Sequence, residues 1–179
     1  MSTLFVNNLN TASGSTITIP TGKVMVGTDG GTFKSPGQII QTLHTSTNSQ
    51  VVTTSGGAIE TGLNHTITPK YSNSKILVSV TQNIQTSNNA YCQLCIRRGT
   101  IASNSLLSIM VSPEGYNNST DEEINQVPFQ WLDSPATTSA TRYFVSMERL
   151  SGASGHGMTA QTSTSGFSVS TMVLQEIAQ

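Results

Sequence analysis

Apolar and polar residues alternate along much of this chain with the two-residue period of a β-strand. Residues 75–84 read KILVSVTQNI, in which Ile76, Val78 and Val80 alternate with Leu77, Ser79 and Thr81. Residues 90–98, AYCQLCIRR, place Cys92, Leu94 and Ile96 on one side and Tyr91, Gln93, Cys95 and Arg97 on the other. Residues 142–150, RYFVSMERL, set Tyr143, Val145 and Met147 against Phe144, Ser146 and Glu148. In residues 167–177, FSVSTMVLQEI, the odd positions Phe167, Val169, Val173 and Ile177 share a side. Further strands are expected at 38–43, 50–54, 63–68, 106–111 and 127–132, and Gly, Asn, Ser and Pro punctuate the intervals. No segment sustains an i, i+3, i+4, i+7 stripe of helical length. One helical turn is expected near residues 121–125.

Many short strands separated by roughly 8–12 residues predict an all-β fold, an antiparallel β-sandwich with jelly-roll connections, over residues 38–179. Residues 1–37 differ. They hold two short β-prone pieces, TITIP at 16–20 and KVMVG at 23–27, broken by Gly and Pro. Such a segment has too little apolar area to fold alone. It is expected to be an extended arm that packs against another chain, which makes oligomerisation a structural expectation.

Composition narrows the function. The chain has 8 basic and 9 acidic residues, a net charge of −1, and its charged fraction of 9% compares with about 25% in an average soluble domain. Ser and Thr supply 51 of the 179 residues, and Asn (13) and Gln (11) extend the neutral polar character. Nucleic-acid binding is excluded on this reading, because phosphate contacts need clustered Lys and Arg. A polybasic membrane-surface role fails for the same reason. No apolar run approaches the ~20 residues of a membrane-spanning helix, so no membrane insertion is expected. The opening MSTLFVNNLN shows no basic stretch followed by an apolar one, as a secretory signal would. Abundant Val, Ile and Thr argue against disorder despite the hydroxyl-rich composition.

The stretch SGSTITIPTGKVMVGTDGGTFKSPGQIIQ at 13–41 resembles a phrase found in structural proteins of tailed bacteriophages, of the marine and cyanophage type. The resemblance continues through TGLNHTITPKYSNSKILVSV at 61–80, CIRRGT at 95–100 and STMVLQEIAQ at 170–179. It covers most of the chain and is weakest over 112–133 and 152–166. The resemblance implies a virion component, tail-fibre-like or of the head-decoration type, assembled in the cytoplasm of a host bacterium. The strand order is also similar to that of trimeric jelly rolls of the tumour-necrosis-factor and complement-head type, which implies a homotrimer. A fold-level likeness carries no function with it. Expected partners are further copies of the chain, phage capsid or tail proteins, and host-surface glycans. The arm residues that the resemblance and the apolar pattern single out for anchoring are Ile17, Ile19, Val24, Val26 and Phe33.

Candidate chemistry is sparse. Cys92 and Cys95 form C-x-x-C, but residues i and i+3 of a strand point to opposite faces and cannot grip one metal. His44, His65 and His156 lie apart from one another, in no metal-binding spacing. His156 sits in SGHG, where glycines let a ligand approach the backbone. The many serines include no G-x-S-x-G elbow. Asp121, Glu122 and Glu123 are contiguous, whereas a glycosidase needs two carboxyls facing each other across a sugar. No catalytic residue, metal ligand or cofactor is expected. The most informative segment is 112–135, SPEGYNNSTDEEINQVPFQWLDSP, with Tyr116, Asn117 and the sole Trp131. Aromatic rings flanked by Asn and Asp are suited to stacking on sugars, which makes Tyr116, Asn117, Trp131 and His156 the candidate ligand residues. Trp131 and Phe129 equally fit one buried face of the strand 127–132, or a subunit contact.

Three functions follow from this reading. The first is a surface fibre with an adhesin-like head. The second is a decoration protein that cements the capsid. The third, a carbohydrate-active depolymerase, is weakest for want of an acid/base pair.

Overall fold

Alternation along the longest strands decides which side of each sheet faces inward. A computed structural model describes residues 19–24, 26, 34–54, 56–87, 90–101, 106–111, 123–152, 157–162 and 168–179. Its ten strands are β1 (Ile39–Thr47), β2 (Val51–Thr53), β3 (Ile59–Ile67), β4 (Lys75–Thr86), β5 (Ala90–Arg98), β6 (Leu106–Val111), β7 (Glu123–Asp133), β8 (Thr141–Gly152), β9 (Met158–Ala160) and β10 (Ser170–Ile177). No helix is present among the described residues, and so none is long and apolar enough to cross a membrane.

The strands form two antiparallel sheets. In the six-stranded sheet β1, β10 and β4 lie side by side, β7 pairs with the other edge of β4, and β9 and β2 extend from its far half. The four-stranded sheet has the order β3-β8-β5-β6. The chain crosses between sheets at β2–β3, β3–β4, β4–β5, β6–β7, β7–β8 and β8–β9, the connectivity of a jelly roll. Ile76, Val78, Val80 and Ile84 of β4 meet Cys92, Leu94 and Ile96 of β5 and Tyr143, Val145 and Met147 of β8 in the core. Burial of each such large side chain is worth about 1.5–3 kcal/mol.

Several strands depart from the sequence reading. β7 begins at Glu123, so residues 123–125 are extended rather than in the helical turn expected there; pairing of Glu123 with Thr86 and Ile124 with Gln85 supplies their backbone partners. β9, three residues long, carries too short a pattern to be recognised. In β10 the even positions Met172 and Leu174 enter the core, whereas Val169 is exposed and Val173 and Ile177 are half-buried on the outer side. The apolar set picked out by periodicity is thus the outer face of this strand. Phe167 lies outside the described residues.

Two glycines carry specific geometry. Between Glu60, opposite Ser146, and Asn64, opposite Phe144, β3 fits four steps against two of β8. Gly62 absorbs this bulge with a left-handed backbone, φ 85°. Gly157 lies so close to Thr53 that any β-carbon would collide with the Thr53 carbonyl. Position 157 therefore admits no side chain without separating β2 from β9.

β4 changes partner along its length. Lys75 to Thr81 pair with β10, and Ile84 to Thr86 pair with β9. At the fork, Ser170 Oγ accepts from Gln82 Nε2 and from the Asn83 backbone N–H, each at 2.8 Å. Gln161 N–H donates to the Asn83 carbonyl at 3.1 Å. The Gln161 amide oxygen faces Gln82 Nε2 (2.7 Å) and Ser170 Oγ (2.9 Å), and its nitrogen faces the carbonyls of Ser49 and Thr61. Thr61 Oγ1 donates to Gln82 Oε1 at 3.2 Å. A fully paired polar cluster thus fills the place where the ladder is handed over, as burial of such groups demands.

Candidate interaction surface

Strand direction gives the sandwich two distinct ends. At one end the chain leading into β1, the root of the expected arm, is fastened: Gly37 N–H donates to the Ala178 carbonyl (2.8 Å) and Ala178 N–H to the Gln38 carbonyl (2.9 Å). Lys34 Nζ lies 4.5 Å from the centre of the Tyr71 ring and donates to Asn73 Oδ1 at 3.2 Å. Glu176 Oε1 accepts from the backbone N–H groups of Lys70 (2.8 Å) and Tyr71 (3.2 Å). Burial works to raise the pKa of Glu176, but these donors and the Gln41 amide outweigh it and hold the carboxyl below the ordinary glutamate range. The opposite end receives Thr47, Thr86, Ala90, Val111, Glu123, Gly152 and Met158. The connections between β6 and β7, and between β8 and β9, therefore leave and return at the end away from the arm root.

Tyr116, Asn117 and His156 belong to those two connections and lie outside the described residues. Trp131 does not share their end. It pairs with Val78, eight positions along β4 from Thr86, a separation of about 26 Å at 3.3 Å per residue. Its neighbours Val127 and Phe129 are buried, whereas Trp131 is 43% exposed on β7, whose other edge no strand of the described residues pairs with. Of the residues expected to anchor, Ile17 and Phe33 lie outside the described residues. Ile19, Val24 and Val26 are 42%, 81% and 78% exposed, so they leave apolar surface free on this chain.

The two outer sheet faces differ in charge. On the six-stranded sheet, register aligns three rows across β7, β4, β10 and β1: Pro128-Thr81-Thr171-Ser46, Gln130-Ser79-Val173-His44 and Leu132-Leu77-Gln175-Thr42. No Asp, Glu, Lys or Arg stands in these rows. A groove of about 400 Å³ opens between Ser79, Thr81, Pro128, Gln130, Thr171 and Val173. Sequence alternation marked these positions only as the non-core side; the absence of charge on successive outer positions was the available signal.

The four-stranded sheet carries the ionic groups instead. Arg142 makes a two-pronged bond to Glu60 (2.9 and 2.6 Å) and lies 4.8 Å over the Phe144 ring. That bond holds the Glu60 carboxyl below its usual range and raises the Arg142 guanidinium. Gln93 donates to Glu148 at 2.7 Å, and Arg97 Nε to Ser146 Oγ at 2.7 Å. Phe144, Cys95, Arg97 and Ser146 are buried on this outer side. Burial pushes the Cys95 thiol up. Cys92 lies in the core on the other face of the same strand, as the three-residue spacing predicts. Among the described residues no three His, Cys, Asp or Glu side chains converge to hold a metal ion.

No family model matches this chain. No curated protein matches it. Among solved structures it is similar to the D431N mutant VP2 protein of infectious bursal disease virus in derived T=1 particles. That likeness has 13% identity and a TM-score of 0.41, over 88% of this chain and 41% of that one. It is also similar to the VP2 subviral particle of that virus, with 11% identity and a TM-score of 0.39 over 88% and 43% of the two chains. The chain spans less than half the length of either. Likeness at this level carries no functional argument.

Proposed function

We propose that this chain is a non-enzymatic structural protein of a tailed-bacteriophage virion, a short surface fibre with an adhesin-like head that assembles as a homotrimer. Residues 1–37 serve as the anchoring arm, with Ile17, Ile19, Val24, Val26 and Phe33 as its apolar contacts to capsid or tail proteins. Residues 38–179 form the projecting sandwich. Loops at the end away from the arm root, including Tyr116, Asn117 and His156, offer contacts to host-surface glycans.

The three uncharged rows on the outer face of the six-stranded sheet carry the self-association element of this reading. Withdrawing neutral hydroxyls and amides from water costs far less than withdrawing ions, and interface centres are depleted in charge. The phage-like phrase at 13–41 supports the virion assignment. The separation of arm root and loops supports a head that projects from its anchor. Three weak sites per trimer, repeated over a particle, would convert poor single-site affinity into avidity. Among the described residues, Glu60, Asp133, Glu148 and Glu176 are each engaged by hydrogen-bond partners, which fits a structural role for them.

Immunogold labelling of intact phage particles with an antibody to residues 38–179 tests the proposal. Label confined to the tail supports the fibre. Label spread over the head supports the capsid decoration protein, the alternative within the same class. Unlabelled particles overturn the virion assignment, and loss of viscosity on incubation with host polysaccharide overturns the non-enzymatic one.

A further inference from the structure

We infer that Trp131 of one copy fills the outer groove of the six-stranded sheet on the next copy. The inference rests on the homotrimer reading and names the side chains through which the copies meet.

Trp131 and the groove lie on opposite sides of the same sheet. Trp131 pairs with Val78, whose side chain points into the core, so the indole belongs to the inner side and emerges at the free edge of β7. The groove opens on the outer side, between Ser79, Thr81, Pro128, Gln130, Thr171 and Val173. The chain's own indole cannot turn through the sheet to reach it. A second copy can supply one.

The edge around Trp131 is built for such a contact. From Ile124 to Leu132 no residue is charged, and Ile124 and Leu132 are exposed. A long uncharged edge invites indiscriminate strand pairing, which exposed edges otherwise block with Lys or Pro. Here Pro128 sits midway along β7 and offers no N–H, so continuous addition of a further strand is interrupted. Side-chain docking remains.

The groove matches the indole in size and chemistry. Its volume of about 400 Å³, open to solvent on one side, leaves room for an indole laid against the sheet. Pro128 and Val173 provide apolar walls, and Ser79, Thr81 and Gln130 provide acceptors for the indole N–H. Neither side brings a charge that must be stripped of water. Knob and groove are different surfaces of one chain, so the contact is head-to-tail and generates a ring when its rotation closes. A tryptophan seated in a neutral pocket is the usual anchor of such an interface.

Native mass spectrometry of the full chain, its Trp131→Ser and Ser79→Arg variants and their mixture, with tryptophan fluorescence on dilution of the wild type, tests this. The expected wild type is a trimer of the 18.9 kDa chain. Each variant alone weakens association at least about thirtyfold, the scale of a truncated anchor residue. Mixed, the variants form a one-to-one heterodimer, because Ser79→Arg retains a knob and Trp131→Ser retains a groove. In the wild type, the single Trp loses quencher access and shifts to the blue as trimer forms. A wild type that is monomeric at every concentration overturns the homotrimer reading and this inference together. A wild-type trimer whose Trp131→Ser variant is equally trimeric overturns the inference alone. So does a folded pair of variants that yields no heterodimer, or fluorescence that stays unchanged while the wild-type mass changes.

Discussion

The Tyr143 hydroxyl donates to Asp133 Oδ2 at 2.7 Å and thereby ties one sheet to the other. Asp133 ends β7 in the six-stranded sheet, and Tyr143 lies in β8 of the four-stranded one. Arg98 donates to the same oxygen, also at 2.7 Å. Burial first, and the Asp133 acceptor second, push the phenol far above its ordinary pKa.

Tyr143→Phe is expected to destabilise the fold by about 1.5–2 kcal/mol, the low end for a buried bond to a charged group that keeps a second partner. The alkaline limb should change as well. The fold favours the neutral phenol, so its contribution is complete below the unfolded pKa of about 10 and is lost as pH rises beyond it. Urea denaturation of wild type and variant between pH 7 and 11 measures both effects, and equal slopes above pH 10 would contradict this role.

Glu176 governs the acid side. Its folded pKa is depressed, so its contribution is present above the unfolded value of about 4.3 and is lost as pH falls through the folded value. Glu176→Gln is expected to cost about 1–2 kcal/mol at pH 7, since one carbonyl oxygen replaces two charged acceptors. The variant's stability should then fall less steeply than that of wild type below pH 4. Thermal melts across pH 2–7 check this.

At the fork in β4, Ser170→Ala removes the acceptor shared by Gln82 and Asn83. The Asn83 N–H is then left buried without its acceptor, while Gln82 Nε2 keeps the Gln161 amide oxygen and the Asn83 carbonyl, for an expected loss of about 1–3 kcal/mol. Amide exchange should quicken at Ile84, Gln85 and Thr86 and at their β9 partners more than at the β10 pairs near Lys75. Uniform quickening along β4 would show that the cluster does not hold the handover.

How far the sequence revealed this fold depended on how each strand is covered. β4, β5 and β8 are legible as strands because Ile76, Leu94 and Val145 recur on one side with a two-residue period over many residues, whereas Leu77 and Phe144 on the other side leave the core side to be decided by packing. β7 did not announce its beginning, since Glu123 to Gln126 owe their extended form to β4 rather than to any local pattern. Burial of Phe144 and Arg97 on an outer face was invisible for a related reason. An Arg142 guanidinium drawn over a ring by Glu60 is a non-local arrangement, and a two-residue period carries no trace of it. The uncharged rows of the six-stranded sheet were legible as composition, yet only register assembles Thr81, Thr171 and Ser46 into one surface.

The neighbouring Gly37 and Ala178 bonds also decide how the molecule would bear a mechanical load. Tension applied to the chain ahead of Gly37 would arrive at the start of β1 and run along that strand. β1 lies antiparallel to β10 from Ile39 opposite Ile177 to Thr47 opposite Ser170. Pulled lengthwise toward the far end, this pair is loaded in shear, and its hydrogen bonds share the force. Pulled sideways, the bonds would open in succession like a zip. If the chain ahead of β1 is the anchor, as proposed, this attachment is strongest along the axis on which a projecting head would be tugged.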